Sequence, residues 1–236
     1  MDDNVLAAMA RWPDVPDVYG WLSLTEHGQW RLHPSGDALE SAPGRDETHT
    51  PPPGGTAVTS VTGTGLYGAG EPITSPPILH FIDRNYSHDD RGQWYFQNGP
   101  QKVYVRLDGA PYILQTSTHS EDSLVLQTHN GLRVDTVASW WLDDTGRLFA
   151  MTDHGPGLVA GRDLPAVLMT LKTTAGDRLL DALDGAAFDP DANKVMQVAA
   201  DNGSAPLSIC LADDIPAELG FVRVPRPQAD NDGKDS

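Results

Sequence analysis

Cysteine, positive charge and long apolar runs are all scarce in this chain of 236 residues. The single cysteine, Cys210, excludes an intramolecular disulfide framework and a zinc site built from several cysteines, and it favours a reducing compartment. Only 16 Lys and Arg residues stand against 33 Asp and Glu residues, so the net charge is −17. Nucleic acids and anionic membranes attract cationic surfaces, and we therefore expect neither as a partner.

Segments that would direct the chain into a membrane or an export pathway are also missing. No run approaches the ~20 apolar residues needed to cross a bilayer. Residues 1–4 carry no positive charge of the kind that opens a signal peptide. We expect a soluble, acidic, cytoplasmic protein.

Proline, glycine, serine and threonine are concentrated between residues 34 and 77. These 44 residues contain 8 Pro, 8 Gly and 11 Ser or Thr, and almost no large apolar side chains. Such a composition cannot bury enough surface to offset its ordering entropy. We therefore predict a mobile insertion over 34–70 and a disordered acidic tail over 225–236, with 1–33 and 71–224 forming one compact β-rich domain.

The rest of the sequence predicts strands joined by glycine-containing turns, together with a few helices. Alternation with a period of two indicates strands, whereas apolar residues three and four apart indicate helices. We expect an α+β fold that is predominantly antiparallel β, built from hairpins and a meander, with two or three short helices packed on the sheet. The predicted strands are 19–24, 29–32, 93–97, 101–107, 111–116, 124–128, 132–142, 147–152, 195–199 and 207–211, and the predicted helices are 4–12, 76–86, 163–171 and 177–183.

A polar-x-Gly-x-apolar pattern occurs three times, in 26–32, 90–96 and 144–150. A solenoid or a propeller would repeat it at one fixed period, but the spacings here are 64 and 54 residues. Hairpin turns need a residue that tolerates positive φ, and they explain the pattern better than internal duplication does.

Motifs for cofactors and metals fail the tests of their context. Residues 63–68 match G-x-G-x-x-G, but the prolines that follow forbid the helix that a dinucleotide site requires. None of the eight histidines forms H-x-x-x-H or H-E-x-x-H. We predict no cofactor and no metal site. The densest group of donors is interpreted as a polar helix face and a solvated loop; it comprises His80, Asp83, His88, Asp89 and Asp90.

Candidate catalytic groups are equally few. The nucleophile motifs G-x-S-x-G and S-x-x-K do not occur, and Cys210 has no neighbouring cation, so we interpret it as a buried, inert thiol. Asp153 and His154 are the candidates for an acid–base pair at a strand end. Because adjacent strand residues point to opposite faces, these two side chains would pair only if the chain turns there.

An aromatic stretch over 94–105 carries three amide side chains, Gln97, Asn98 and Gln101, around the turn 98–100. Strands this aromatic face a core on at least one side. The amides predict a small ligand-binding site at the rim of the turn. The alternative is that they satisfy backbone groups of the turn itself, as Asn often does.

Three strings, 19–32, 78–114 and 161–165, resemble a family of uncharacterised proteobacterial proteins known as a domain of unknown function. The likeness covers most of 17–172 outside the Pro/Gly-rich segment, and its strongest string is 96–105. The resemblance implies a bacterial origin and one compact domain, and it transfers no catalytic roles.

Together these features favour a non-enzymatic binding or protein-interaction module. Its partner would be an unknown protein or a small molecule, and a homodimer stays open because Trp140 and Trp141 are adjacent and one could serve as an interface anchor. The alternative is a hydrolase-type enzyme, with or without a metal, that uses His154 or His129 with nearby carboxylates. A third hypothesis is that the acidic surface mimics nucleic acid or binds a basic partner.

Overall fold

The computed structural model describes residues 1–40, 68–120, 123–184, 196–200 and 203–228. Two β-sheets and five short helices make up this part of the chain. Most of the predicted insertion, most of the G-x-G-x-x-G match and the end of the predicted tail lie outside these ranges, so the domain boundaries stay a prediction. None of the described helices is long and apolar enough to cross a membrane.

The first sheet contains six strands, with one helix before them and one between the third and the fourth. Its elements are α1 (Asp3–Arg11), β1 (Val18–Leu24), β2 (Trp30–Leu32), β3 (Glu71–Pro72), α2 (Pro76–Arg84), β4 (Tyr86–His88), β5 (Trp94–Asn98) and β6 (Gln101–Leu107). The strand order is β3-β2-β1-β6-β5-β4. Only the pair of β1 and β6 is parallel among the described pairs of this sheet.

The second sheet contains eight strands. Two helices occur between its strands in the sequence, and a third follows the last strand. Its elements are β7 (Tyr112–Ser120), β8 (Ser123–Thr128), β9 (Val137–Asp143), β10 (Leu148–Thr152), β11 (Gly155–Val159), α3 (Leu164–Thr170), β12 (Lys172–Thr173), α4 (Leu179–Asp184), β13 (Met196–Ala200), β14 (Gly203–Cys210) and α5 (Ile215–Leu219). The strand order is β12-β13-β14-β9-β10-β11-β7-β8, with parallel pairing of β7 with β11 and of β9 with β14. The expected α+β fold with mainly antiparallel pairing is confirmed, and α5 is a helix that the sequence did not predict.

The predicted three-strand meander over 93–116 divides between the two sheets. β5 and β6 pair as an antiparallel hairpin, but β7 does not pair with β6. The reason is that β1 occupies the other edge of β6, with Leu24 opposite Leu107, and the backbone N–H of Asp108 continues this contact to the carbonyl of Leu24 at 3.0 Å. The chain must therefore leave the first sheet at 108–111.

α2 begins where the sequence predicts and ends two residues early. Ser75 precedes the helix in extended conformation and prolines occupy its first positions, where no backbone donor is needed. At the other end the Asn85 side chain donates to the carbonyl of Phe81 at 2.9 Å. Tyr86 then begins β4 instead of extending the helix.

Five hairpin turns share one local structure, which explains the recurrent glycine pattern. In each turn the first residue is Thr or Asp, and its side-chain oxygen accepts the backbone N–H four residues later, at 2.8–3.2 Å. The glycine three residues after it has φ between 73° and 89°, a region that favours glycine. The interpretation as hairpin turns holds. The five first residues are Thr25, Asp89, Thr128, Asp143 and Thr173.

The core lies where the two sheets and their helices meet. Leu24, Val105 and Leu107 of the first sheet belong to the same buried apolar cluster as Phe149 and Leu207 of the second. Each such side chain contributes about 1.5–3 kcal/mol through burial.

The adjacent tryptophans of β9 both contact this core. Trp140 is 2% exposed, and Trp141 is half-buried, with its indole N–H donating to the Ser139 hydroxyl at 3.2 Å. Neither indole is therefore displayed as an isolated surface anchor.

The described ends of the predicted insertion and tail contact the first sheet. The backbone N–H of Ala38 donates to the carbonyl of Gly20 at 2.9 Å, and the Arg106 guanidinium donates to the carbonyls of Ala38 and Gly68 at 2.8 and 3.1 Å. In the first part of the predicted tail, the backbone N–H of Arg226 donates to Gln93 Oε1 at 2.8 Å.

Candidate functional site

A cavity of about 590 Å³, here called the apolar pocket, lies between α2 and one face of the first sheet. Of the twelve described residues that line it, ten are apolar and two are amides. The twelve are Val18, Trp21, Leu22, Leu32, Ile73, Ile78, Phe81, Ile82, Phe96, Asn98, Gln101 and Val103.

Strand register brings the floor of the pocket together. Val18 of β1 is opposite Val103 of β6, and Val103 is in turn opposite Phe96 of β5. Leu22 of β1 is opposite Leu32 of β2. Side chains at paired positions lie on the same face of a sheet, so residues that are distant in sequence form one apolar surface.

The roof of the pocket is α2, which touches the sheet at its C-terminal half. Ile82 is buried, and the Phe81 ring packs edge-on against Phe96 with ring centroids 5.4 Å apart. Ile78, one turn earlier, is 51% exposed. Because residues three and four apart share a helix face, the three side chains point toward the sheet, and the space under the first turn is left open.

Exposed apolar side chains form part of the pocket rim. Trp21 is 44% exposed, Leu32 is 41% exposed and Ile78 is 51% exposed. Contiguous exposed apolar surface of this kind marks ligand grooves and interaction sites in soluble proteins. The rim therefore has the character of a binding surface.

Two of the three predicted amides lie at this pocket, and the third does not. Asn98 and Gln101 are opposite each other where β5 and β6 meet. The Gln101 side-chain nitrogen donates to the carbonyl of Pro16 at 3.1 Å, while the Asn98 side chain makes no hydrogen bond within the described residues. The side chain of Gln97 points to the opposite face because strand residues alternate.

The Gln97 side chain bonds to the backbone of its own turn, which is the alternative to ligand binding that the sequence left open. It is fully buried, and its nitrogen donates to the carbonyl of Gly99 at 2.9 Å. Its oxygen has no hydrogen-bond partner within the described part of the chain. Gln97 thus stabilises the turn that presents Asn98 and Gln101.

Asp153 and His154 come together because the chain turns between β10 and β11. His154 Nε2 lies 3.6 Å from Asp153 Oδ2 and 2.7 Å from the carbonyl of Arg133, to which it donates. The Asp153 carboxylate accepts the backbone N–H groups of Asp135 and Thr136 at 3.4 and 3.5 Å. The pair therefore anchors 133–136 to this turn, and neither residue lines the apolar pocket.

His129, the other histidine considered for catalysis, packs its ring against the aromatic side chains of Trp30 and Tyr112. Its Nδ1 accepts the backbone N–H of Ile113 at 3.3 Å, and its Nε2 has no partner within the described residues. Burial lowers the pKa of His129 to about 4. The described ranges contain no group of three or more His, Cys, Asp or Glu side chains that could hold a metal ion.

The donors of the predicted polar helix face have separate structural tasks. Asp83 accepts the indole N–H of Trp30 at 3.0 Å, and burial raises the pKa of its carboxyl. Asp89 accepts the backbone N–H groups of its own turn and the hydroxyl of Tyr104 at 3.1 Å.

A Ser–His–Asp arrangement that the sequence did not predict lies on the opposite face of the first sheet. Ser23 Oγ lies 2.9 Å from His33 Nε2, and His33 Nδ1 lies 3.4 Å from Asp37 Oδ1. Ser23 and His33 are both 0% exposed. Burial, and then the charge of Arg106, lowers the pKa of His33. No local motif announces these residues, because β-pairing brings Ser23 and His33 together.

Three comparisons relate the chain to known proteins. A sequence model of the family DUF2944, described as "Protein of unknown function (DUF2946)", matches residues 1–226. No curated protein matches the chain. Among solved structures, the chain is similar to a DUF1285 family protein from Silicibacter pomeroyi DSS-3, with 12% identity and a TM-score of 0.44 over 91% of this chain and 99% of that chain.

It is also similar to a DUF1285 family protein from Shewanella baltica OS155, with 11% identity and a TM-score of 0.36 over 61% of this chain and 87% of that chain. The resemblance to a domain of unknown function is confirmed by the family match. This chain belongs to the DUF2944 family, which is described as a protein of unknown function.

Proposed function

We propose that this protein is a binding module that holds a small, largely apolar molecule in the apolar pocket. The observation that carries the proposal is the cavity of about 590 Å³ between α2 and the first sheet. Small-molecule sites are concave, mostly apolar, and about 300–1,000 Å³ in volume, with a few polar groups that orient the ligand. Asn98 and Gln101 are the polar groups in this position.

The size of the pocket sets the expected affinity. At about 30 Å³ for each water-sized group, the cavity accommodates roughly 20 non-hydrogen atoms. Ligands of that size gain about 0.3 kcal/mol per atom, or about 6 kcal/mol in total. This free energy corresponds to a dissociation constant of tens of micromolar.

A neutral fluorescent probe tests the proposal directly. N-phenyl-1-naphthylamine is uncharged and fluoresces when it enters an apolar site, so titration of the wild-type protein should saturate with one site per chain. Ile78→Asp places a charge at the rim and should weaken binding at least tenfold. An aspartate in the first helical turn is favourable for α2 itself, so circular dichroism should show an intact fold.

Leu180→Asp provides the matched control. Leu180 is 43% exposed and lies in the first turn of α4, outside the pocket. It should bind the probe like the wild type. Binding that does not saturate, or that Ile78→Asp leaves unchanged, would contradict the proposal.

We also propose that the protein works in the bacterial cytoplasm. Support comes from its single cysteine, which is buried and free. Fractionation of a bacterial host that expresses this chain should place it with cytoplasmic markers; recovery with periplasmic markers would contradict this.

The pocket rim could instead be covered by a protein or by a second copy of this chain. Light scattering after size-exclusion chromatography separates these cases. A dimer that dissociates on Ile78→Asp would assign the rim to self-association, whereas a monomer that binds the probe supports the small-molecule function.

A further inference from the structure

We infer that the apolar pocket selects an uncharged molecule that is apolar along most of its length and ends in a hydrogen-bond donor, as a long-chain alcohol or a primary amide does. This inference rests on the proposed function and names the ligand class of the same site. It follows from the absence of charge among the described lining residues, from the orientation of nearby cations, and from the hydrogen-bonding capacity left at the polar end.

Among the described residues, none of those that line the pocket has a charged side chain. An ion that leaves water for such a surface without an opposite charge loses several kcal/mol of hydration. The protein as a whole carries a net charge of −17, so an anionic ligand gains nothing from the surrounding field. A neutral ligand avoids both costs.

The cations nearest to the pocket in sequence are engaged elsewhere. Lys102 follows Gln101, but its ammonium lies 4.8 Å from the centroid of the Tyr95 ring. Arg31 precedes Leu32, and its guanidinium donates to the carbonyls of Ala69 and Gly70.

Arg84 at the end of α2 likewise pairs with Asp2, with a distance of 3.0 Å from Nε to Oδ1. None of these three cations is therefore placed to neutralise a carboxylate or a phosphate in the pocket.

The polar end of the pocket offers both acceptors and donors. One N–H of the Gln101 side chain donates to the carbonyl of Pro16, so this side chain keeps its Oε1 as an acceptor and one further N–H as a donor. Asn98 adds one carbonyl oxygen and one NH₂ group. A hydroxyl or a primary amide can donate to these oxygens and also accept from these N–H groups, whereas a carboxylate only accepts and would leave both carbonyl oxygens without a donor.

Competition against N-phenyl-1-naphthylamine with three ten-carbon compounds tests the inference. 1-Decanol, decanamide and decanoate share one chain and differ at the end group, and decanoate is ionised at pH 8. We expect the alcohol and the amide to displace the probe at concentrations at least tenfold lower than decanoate does. Equal or stronger displacement by decanoate would overturn the ligand class while the probe still demonstrates the pocket.

Two substitutions at Asn98 identify the group responsible. Asn98→Leu should keep probe binding and reduce the preference for decanol over decanoate at least threefold, whereas Asn98→Lys should shift the preference toward decanoate. Asn4→Leu, at an exposed position of α1 outside the pocket, is the control and should match the wild type. An unchanged preference in both Asn98 variants would overturn the inference, and a wild-type protein that fails to bind the probe would overturn the proposed function itself.

Discussion

Acid should destabilise this protein through His129, and replacing that residue with asparagine should remove the effect. The His129 ring is buried among Trp30 and Tyr112, with ring centroids 5.8 and 6.0 Å away. Its Nδ1 accepts the backbone N–H of Ile113. His129→Asn keeps an acceptor at a similar distance from the main chain, because Asn Oδ1 corresponds to Nδ1, and it removes the titrating group.

The sign and size of the effect follow from proton linkage. Burial lowers the pKa of His129 to about 4 in the folded protein, against 6.5 in the unfolded chain. The unfolded state therefore binds the proton first as the pH falls. The contribution of His129 to the free energy of unfolding is thus fully present above pH 6.5 and is lost as the pH drops toward 4. Between pH 7.5 and 4.5 these two pKa values give a loss of about 2.5 kcal/mol.

Urea denaturation at intervals between pH 7.5 and 4.5 measures this difference. The wild type should lose about 2.5 kcal/mol more unfolding free energy over this range than His129→Asn does. His33, whose pKa is also lowered by burial, is present in both proteins, so its contribution cancels.

His27→Asn is the control, because the His27 side chain is 69% exposed. It should follow the wild-type profile. Parallel profiles for the wild type and His129→Asn would refute the assignment of a neutral, buried imidazole to this position.

Two further measurements address other parts of the molecule. In urea denaturation, Gly92→Ala should destabilise the protein by about 1–3 kcal/mol more than Gly146→Ala does. Both glycines have positive φ, but an added methyl group meets the Gly220 carbonyl only at Gly92. Equal losses of stability in the two variants would contradict this. Cys210 should react with Ellman's reagent at pH 8 only after denaturation, because burial raises the pKa of its thiol to about 11 and leaves roughly a thousandth of it ionised. Fast reaction of the native protein would contradict the buried position.

The features that the sequence predicts well are the local ones. A turn such as 143–147 forms because Asp143 can accept the backbone N–H of Arg147 and Gly146 can adopt positive φ, and all three residues lie within one short segment. The start of α2 is equally local, since the two prolines after Ser75 suit the first helical positions, although the Ser75 side chain makes no capping hydrogen bond. The hairpins and most helices can therefore be predicted without knowledge of the rest of the chain.

The pairing of strands that are distant in sequence cannot be predicted in this way. The parallel contact of β1 with β6 joins residues more than 80 positions apart, for example Val18 with Val103. No residue in 111–116 indicates that this strand begins a second sheet. Contacts between strands that are distant in sequence determine which strand edges are already paired, and these contacts exist only in the assembled fold.

The pocket shows the same limit on a smaller scale. The spacing of Ile78 and Ile82 predicts an apolar helix face, and the structure packs Ile82 while leaving Ile78 half exposed. Whether the apolar face of a helix fills the space between the helix and the sheet depends on how closely the two elements approach each other. Neither element specifies this distance by itself. Gln97 and Asn98 differ for a simpler reason, because alternation along β5 sends neighbouring side chains to opposite faces.

Access to solvent, more than residue type, distinguishes the candidate sites in this fold. Ser23, His33 and Asp37 have the side chains of a nucleophile, a base and an orienting acid, but Ser23 and His33 are fully buried. Gly70 lies so close to His33 that an added methyl group there would be 2.6 Å from Nε2, which leaves no room for a substrate carbonyl. Asn98 and Gln101 are chemically modest by comparison, yet they stand at an open, apolar cavity where a ligand can reach them. Binding at the pocket therefore requires only the geometry already present, whereas catalysis by the buried serine would first require the backbone around Gly70 to move away from His33.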